Sequence, residues 1–210
     1  MNKSGHIILP TAYFPPISYF AHIINLPVIY IEQKETFPKQ TYRNRCEIMT
    51  ASGKSNLIIP VTRPHGNHTM TQDIEICYRE PWQHHHWKTL QACYRSSPFF
   101  NYYDEIIYLF FEKHEKLLLK HNSNILKTIS TLIGIDVDIQ FTEDYDKNPE
   151  GILDLRSDLS PKIQRYSEVF PPYPQVFEHK SGFTGGLSIL DLLFNMGPES
   201  GRYLRRVIGH

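Results

Sequence analysis

Residues 6–20 read His-Ile-Ile-Leu-Pro-Thr-Ala-Tyr-Phe-Pro-Pro-Ile-Ser-Tyr-Phe. The apolar run Ile7–Leu9 predicts a buried strand, and a short helix over 17–24 is predicted to begin behind the loop that follows. Open α/β sheets usually place their ligands at the carboxyl end of the first strand. Because prolines and aromatic residues stiffen this loop, we expect it to form one wall of a binding site.

The segments after this opening change in type along the chain. Val28–Ile31 predicts a second buried strand, which completes a β-α-β unit with a parallel pair and a right-handed crossover. A polar loop over 33–43 precedes a predicted β-hairpin over 45–61 with a tight turn at Ser52-Gly53, and 73–78 alternates as a further strand. Helices are predicted over 83–95, 99–119, 123–133, 187–195 and 199–207, a strand over 135–141, and irregular segments over 142–151 and 164–186.

These elements predict one mixed α/β domain over residues 1–210, with a β-α-β opening, hairpin strands and a helical second half. The chain divides into an α/β-rich part (1–80), a mainly helical part (83–134), a strand (135–141) and an irregular and helical C-terminal part (142–210). A chain of 210 residues is long enough to build one domain with a substantial core.

Charge and composition argue against several classes of function. Lysine plus arginine equals aspartate plus glutamate, at 22 each, so no net charge attracts nucleic acid or an anionic membrane. No apolar run approaches the roughly 18–20 residues that a membrane span needs. The three cysteines, Cys46, Cys77 and Cys93, are odd in number and widely spaced among apolar neighbours, which indicates reduced thiols in a cytoplasmic protein.

The basic stretch Lys39–Arg45 is the first candidate for ligand binding. Arg43 and Arg45 flank Asn44, and their forked donors suit a phosphate or a carboxylate, while the amide could reach a sugar hydroxyl. The alternative is that both arginines pair with local carboxylates such as Glu47.

Three consecutive histidines, His84–His86, lie within a predicted helix. Successive residues on a helix diverge by about 100°, so these imidazoles point in three directions and we expect no metal site. His86 lies beside Trp87 at the edge of the apolar face, and it is interpreted either as a general base near neutral pH or as a hydrogen-bonded core histidine. The chain has no glycine motif for phosphate or dinucleotide binding, and no cofactor is expected.

Asp191 is the second catalytic candidate. Ser188–Asp191 has the pattern of a capping box in front of an apolar helix. The Asp191 carboxylate is therefore predicted either to accept from backbone donors at the helix start or to act in catalysis. Elsewhere, Asp154 and Arg156 predict a local ion-paired turn, or a cation brought toward the site.

Five segments of the chain resemble the WbqC-like family of bacterial proteins, in family order and over nearly the whole chain. His86-Trp87 and Gly197-Pro198 add to the match. The chain departs from the family pattern at two places. Many relatives have a glycine before the aromatic pair Tyr19-Phe20, where this chain has Ser18. They often have an aspartate pair after the second strand, where this chain has Glu32-Gln33. The five segments are Leu9-Pro10-Thr11-Ala12-Tyr13-Phe14-Pro15-Pro16, Tyr42-Arg43-Asn44-Arg45-Cys46, Leu57-Ile58-Ile59-Pro60-Val61, Tyr94-Arg95-Ser96-Ser97-Pro98-Phe99-Phe100 and Leu187-Ser188-Ile189-Leu190-Asp191-Leu192-Leu193-Phe194-Asn195.

The resemblance implies a role in the synthesis of bacterial surface polysaccharide of the O-antigen type, because the family is named for a product of such a gene cluster. It further implies transfer of an acyl or aminoacyl group to a nucleotide-linked amino sugar. In this hypothesis His86 and Asp191 are catalytic, and the acceptor amine gives its proton to His86. The residues expected to bind the substrate are Tyr13, Lys39, Tyr42, Arg43, Asn44, Arg45, Trp87 and Tyr94.

The alternative hypothesis is a non-catalytic protein that binds a sugar nucleotide, or serves as a scaffold, in a pathway of the same kind. Both hypotheses expect a small-molecule substrate that contains a phosphate or a sugar, and aromatic residues suit stacking on sugar faces in either case. Both also depend on one spatial expectation. The loop around Tyr13, the Arg43–Arg45 segment and His86 should converge on a shared cleft.

Overall fold

The computed structural model describes residues 6–159, 161 and 170–207, which form a mixed α/β domain. Most strands lie in the first half of the chain and most helices in the second, as the sequence predicts. The strands are β1 (Ile7–Pro10), β2 (Val28–Glu32), β3 (Arg45–Thr50), β4 (Gly53–Ile58), β5 (Val61–Thr62), β6 (Glu75–Ile76), β7 (Asp138–Phe141) and β8 (Leu153–Asp154). The helices are α1 (Ile17–Ile23), α2 (Trp82–Tyr94), α3 (Phe100–Glu112), α4 (Leu118–Leu132), α5 (Glu178–Ser181), α6 (Ile189–Met196) and α7 (Ser200–Val207).

A four-stranded parallel sheet organises the molecule, with its strands in the order β7-β2-β1-β8. β1 and β2 are joined through α1 and place Ile8 beside Tyr30, which confirms the β-α-β opening. β7 extends the sheet beyond β2. β8 pairs with β1 on the other side, and the sequence does not predict it because two residues are too few for an alternating pattern to show.

The predicted hairpin is present, although its second arm begins earlier than predicted. β3 and β4 pair antiparallel from Arg45 beside Ile58 to Thr50 beside Gly53. Gly53 has a φ of +113°, a conformation that glycine adopts without a steric penalty. Of the strand predicted over 73–78, only the two residues of β6 pair, with β5. Residues 71–73 form a 3₁₀ turn instead.

The single helix predicted over 99–119 is in fact two helices. α3 ends at Glu112, after which the backbone is extended. The connecting residues run alongside β6, where the Ile76 N–H donates to the Lys116 carbonyl at 2.9 Å. Leu117 therefore matches the helical spacing while lying outside a helix, and α4 begins at Leu118 rather than at 123.

The end of α4 follows the prediction more closely. Gly134 has a φ of +71°, as expected of a glycine that closes a helix. The Ile135 N–H still donates back to the Ser130 carbonyl at 2.8 Å. Because residue 135 belongs to this helix end, β7 begins at Asp138 and not at 135.

The start of α6 fastens the loop that follows β1. The Ile189 N–H donates to the Pro15 carbonyl at 2.9 Å, and the Ser188 hydroxyl donates to the Phe14 carbonyl at 2.9 Å. Phe14 is buried and has a φ of +38°, which is costly for a residue with a Cβ and persists only where the surroundings enforce it. Residues at the start of α6, in the last part of the chain, therefore hold this early loop in one conformation.

The segment over 170–186 is largely irregular, as predicted, apart from α5. The remainder of that predicted segment, 164–169, lies outside the described residues. The three cysteines are free, with Cys46 and Cys93 buried and Cys77 half-buried. Of the helices in the described part of the chain, none is both long enough and apolar enough to cross a membrane.

Candidate functional site

Four rings meet behind the loop that follows β1, and we call them the imidazole cluster: Tyr13, Trp82, His86 and His121. Trp82 and His86 lie one turn apart on α2, and His121 lies in the first turn of α4. The Tyr13 hydroxyl and His86 Nδ1 are 3.0 Å apart. The Tyr13 ring stacks on that of His121 with centroids 6.0 Å apart, and Trp82 meets His86 edge to face at 5.2 Å.

Burial sets the charge of this cluster, because all four side chains are almost inaccessible to solvent. Burial lowers the pKa of His86 and of His121 from 6.5 to about 4, since an interior of low polarity disfavours the imidazolium. For the same reason burial raises the pKa of the Tyr13 hydroxyl. All three groups are therefore neutral near pH 7.

The hydrogen-bond roles of His86 follow from its neighbours. The carbonyl of Ile58 acts on the imidazole and opposes the effect of burial on the His86 pKa, as an acceptor facing a ring N–H does. Nδ1 faces the Tyr13 hydroxyl. We therefore assign the ring proton to Nε2, so that Tyr13 donates to Nδ1.

Two polar atoms of the imidazole cluster form no hydrogen bond with the described residues. His121 Nε2 and Trp82 Nε1 are buried and have no hydrogen-bond partner among the described residues. Buried polar atoms in native proteins are nearly always bonded, and each exception asks for an explanation. Both atoms are available to a ligand or to water that reaches the cluster.

Two cavities open beside these rings. The first, which we call the α2–α3 groove, has a volume of about 420 Å³. Trp87 is half-buried there and contacts Tyr108 with ring centroids 5.1 Å apart. Phe111 separates the groove from the cluster, since its ring lies 6.5 Å from that of His86. The groove is lined by Pro81, Gln83, His84, Trp87, Lys88, Tyr108 and Phe111.

The second cavity, which we call the α3–α4 pocket, has a volume of about 290 Å³. It lies between α3 and α4, and His121 is one of its lining residues. Phe110 also lines it and meets His121 edge to face at 6.2 Å. The imidazole cluster is thus bordered by a cavity on each side of α3.

The basic stretch lies next to the loop, as expected, but its first arginine is already paired. The Tyr13 N–H donates to the Tyr42 carbonyl at 2.9 Å, which joins the two segments. Arg43 is only 3% exposed and donates to Glu35 at 2.5 and 2.8 Å. The ion-paired alternative therefore describes the Arg43 guanidinium, with Glu35 as its partner instead of Glu47.

Other members of the stretch differ in how available they are. The Asn44 amide donates to the Ile59 carbonyl at 2.9 Å and so helps to close the hairpin. Arg45 is half-buried, and its Nε has no partner within the described part of the chain. Lys39 is exposed. Anion binding by Arg45 and Lys39 stays a prediction.

A buried ion network, which we call the Glu32 network, lies at the carboxyl edge of the parallel sheet. Arg156 donates to Glu32 at 3.0 Å and to Asp154 at 2.6 Å. The Thr142 hydroxyl donates to Glu32 at 2.9 Å. This confirms the ion-paired turn at Asp154 and Arg156. The Arg156 guanidinium is already paired with two carboxylates of the protein.

Asp191 lies in a separate buried network. Its carboxylate accepts from the Tyr173 hydroxyl at 2.6 Å and from the Gln175 amide at 2.7 Å, not from the backbone donors that the capping pattern predicts. Burial raises the pKa of Asp191, and its donors, Tyr94 among them, oppose the rise. The Tyr94 hydroxyl also accepts from the Met49 N–H at 3.2 Å.

The two predicted catalytic residues therefore have different partners. His86 faces Tyr13 and the Ile58 carbonyl, whereas Asp191 holds the irregular segment around Tyr173 against α6. Ser188 does cap α6 as predicted, since its hydroxyl accepts from the Leu190 N–H at 3.3 Å. A catalytic role for either residue stays a prediction.

Three residues that the sequence argument leaves out belong to the site: Trp82, Tyr108 and His121. The spacing of Trp82 and His86, four residues apart on one helix, is a signal that could have identified Trp82. His121 was not identified because the sequence predicts that this helix begins at 123, whereas α4 begins at Leu118. Within residues 6–159, 161 and 170–207, no group of three or more histidine, cysteine or acidic side chains is arranged to hold a metal ion.

Comparison with known proteins adds the family. The model of the WbqC-like protein family matches residues 11–166 and 156–203. The "Uncharacterized protein Rv1507c" of Mycobacterium tuberculosis (strain ATCC 25618 / H37Rv) is 26% identical over 223 aligned residues, which cover 94% of this chain and 96% of that protein. No solved structure matches. The family model spans most of the chain, including the loop after β1, the imidazole cluster and α6, and the chain therefore belongs to the WbqC-like protein family.

Proposed function

We propose that this protein transfers an acyl or aminoacyl group to the amine of a nucleotide-linked amino sugar, in the cytoplasm, during the synthesis of a bacterial surface polysaccharide. One observation carries the proposal. The hydrogen-bonded pair of Tyr13 and His86 lies directly behind Phe111, which lines a groove with an aromatic wall. A proton-transfer pair beside a groove suited to a sugar is what such a reaction needs.

The α2–α3 groove has the chemistry of a sugar site. Trp87 and Tyr108 offer apolar faces on which a sugar ring can stack. Gln83, His84 and Lys88 add donors for hydroxyl or phosphate oxygens along the same groove. A volume of about 420 Å³ lies within the range of small-molecule sites.

In the proposed transfer step, Tyr13 and His86 carry the proton that the acceptor amine loses. The acceptor nitrogen forms a bond to the carbonyl carbon of an activated acyl donor, and the bond from that carbon to the leaving group breaks. The amine proton passes to the Tyr13 oxygen while the Tyr13 proton passes to His86 Nδ1. The imidazolium then returns a proton along the same path to the leaving group.

Two features of the site constrain this reaction. Because Phe111 stands between the groove and His86, its ring must move for the acceptor amine to reach Tyr13. With a pKa of about 4, His86 is unprotonated at neutral pH but is a weak base, so it takes the proton only as the amine attacks the carbonyl carbon. Its imidazolium is correspondingly short-lived and gives the proton up readily.

The proposal is tested by binding and by turnover, with a matched pair of tyrosine variants. Tyr108 lies in the groove, whereas Tyr102 is on the same helix, is 72% exposed and lies outside the groove. We expect Tyr108→Ala to weaken binding of UDP-N-acetylglucosamine about tenfold, by analogy with the loss of one aromatic stacking contact. Tyr102→Ala should leave binding unchanged. If both variants bind the sugar nucleotide equally well, the sugar does not bind in this groove.

Turnover is then measured by mass spectrometry, with acyl-coenzyme A or aminoacyl donors and UDP- and dTDP-linked amino sugars as acceptors. We expect an amide product from the wild-type protein and none from His86→Gln. If His86→Gln remains folded and retains full activity, His86 has no part in the reaction.

A second candidate function is favoured by the burial of the imidazole cluster. In this alternative the protein binds the sugar nucleotide without changing it, and His86 is a core histidine bonded to Tyr13. Saturable binding in the groove, with no product from any donor and acceptor pair, would establish this alternative and exclude the transferase.

A further inference from the structure

The lining of the α3–α4 pocket combines apolar and cationic side chains. Ile106, Leu109 and Phe110 of α3 contribute apolar surface. Lys113, directly after α3, and Lys127, on α4, contribute ammonium groups. A cavity with this combination suits a molecule that has one charged end and one apolar end.

The two lysine charges are uncompensated. Neither lysine has an ion pair within the described residues. The nearby carboxylate of Glu115 is already engaged, because it accepts from Lys120 at 3.1 Å and from the Asn124 amide at 3.3 Å. The pocket is therefore electropositive, and an anion that enters it meets no free carboxylate among the lining residues.

His121 supplies a second and independent observation. Its side chain is 1% exposed and lines the pocket, and its Nε2 atom has no hydrogen-bond partner among the described residues. A buried polar atom without a partner costs free energy that a ligand bond would recover. The unpartnered imidazole thus marks the inner end of the pocket as a place where a polar group binds.

From these observations we propose that the α3–α4 pocket binds a small amphipathic organic anion, with its charged group between Lys113 and Lys127, a bond to His121 Nε2, and its apolar part against Ile106, Leu109 and Phe110. The volume of about 290 Å³ lies at the lower limit for ligand pockets. It excludes a nucleotide sugar and fits a short-chain carboxylate or monophosphate. The site does not depend on the proposed transferase activity.

The experiment is a titration followed by two-dimensional NMR on the full chain. The probes are hexanoate and hexyl phosphate, which distinguish a carboxylate from a phosphate head group, and hexanamide and acetate, which each lack one half of the expected ligand. We expect one of the hexyl anions to bind saturably in the millimolar range, as such small ligands do. Hexanamide and acetate should bind about tenfold more weakly.

Variants locate the binding. The double variant Lys113→Gln/Lys127→Gln should raise the dissociation constant of the hexyl anion about tenfold. Lys116→Gln is the matched control, since Lys116 lies outside the lining and pairs with Glu75, which also lies outside it, and it should bind as the wild type does. His121→Phe keeps an aromatic ring at this position and removes both ring nitrogens. It should also weaken binding, and its melting temperature shows whether the fold is intact.

Two results would overturn the inference. One is the absence of saturable shifts for both hexyl anions up to about 50 mM, well above the range expected for ligands of this size. The other is equal binding by the wild type and the double lysine variant. Neither result bears on the sugar groove, because the probes contain no sugar and the lysines lie outside that groove.

Discussion

The Glu32 network and the imidazole cluster are both buried polar groups near the carboxyl edge of the parallel sheet, yet they differ in how completely their hydrogen bonds are satisfied. Glu32 accepts from Arg156, from the Thr142 hydroxyl and from two backbone N–H groups. In the imidazole cluster, by contrast, His121 Nε2 and Trp82 Nε1 have no partner in the described part of the molecule.

The difference separates stability from binding. A buried charge that is fully bonded holds its neighbours in place and has no capacity left for a ligand. An incompletely bonded cluster gives up some stability and keeps atoms available for another molecule. On this criterion Arg43, Asn44 and Asp191 resemble the Glu32 network, whereas Tyr13, His86 and His121 form the more promising site.

The strongest test of this comparison is Arg156→Ala. Because it leaves the Glu32 carboxylate buried and without its cation, we expect it to lower the free energy of unfolding by about 3–5 kcal/mol. Urea denaturation measures the change. Arg202→Ala is the control, since Arg202 pairs with Glu199 on the exposed surface and should change stability by less than about 1 kcal/mol. Similar small losses in both variants would show that the Glu32 network is not a structural element.

The second test uses acid, which should destabilise the imidazole cluster. The folded pKa values of His86 and His121, about 4, lie below the unfolded value of 6.5, so the unfolded chain takes up protons first. Stability due to the neutral histidines is therefore complete above pH 6.5 and is lost as the pH falls toward 4. Between pH 7 and pH 5 each histidine should cost roughly 2 kcal/mol.

The contribution is measured as the difference between variants, because the raised pKa of Asp191 acts in the opposite direction and favours the folded state at low pH. His121→Phe should reduce the loss between pH 7 and pH 5 by roughly 2 kcal/mol. His84→Gln, which removes an exposed histidine of α2, should leave it unaltered. If His121→Phe does not change the pH dependence, His121 is not held neutral in the fold.

Asp191→Asn examines the network that resembles Glu32. The amide keeps the shape of the carboxylate but turns one acceptor into a donor facing Tyr173 and Gln175, and we expect a loss of about 2 kcal/mol. Thermal unfolding and the transfer assay are measured together. If the folded variant loses all turnover while its stability is unchanged, Asp191 acts in catalysis and does not belong with the structural Glu32 network.

The smallest expected effect is that of Tyr13→Phe. Removing the hydroxyl leaves His86 Nδ1 without its donor, at a cost of about 1 kcal/mol. In the transferase hypothesis the same variant interrupts the proton path and abolishes turnover. A stability loss with normal turnover would confirm the hydrogen bond and exclude Tyr13 from the reaction.

Much of the fold was accessible from local sequence patterns. The β-α-β opening, the hairpin and α2 all follow from the spacing of apolar residues. The errors occur where tertiary hydrogen bonds override that spacing. Leu117 continues the helical pattern of α3, but the connection before α4 pairs with β6, and the short strand β8 exists only because β1 lies beside it.

The site was less accessible for a related reason. The contacts of Tyr13 with Tyr42 and with His86 agree with the expectation that these segments converge, but the direction in which Arg43 points was not predicted. Its guanidinium turns to Glu35, a choice between carboxylates that spacing cannot rank. His121 enters the site through α4, whose start the sequence places too late.

The backbone of Phe14 has a consequence for biosynthesis. Its conformation is held by Ser188 and by the Ile189 amide, which leave the ribosome long after Phe14 itself. A chain is made from its N-terminus, so this early loop must wait for nearly the entire polypeptide before it can lock. Any nascent or truncated form that ends before residue 187 lacks these two hydrogen bonds, so the loop reaches its final conformation only once the start of α6 has been made.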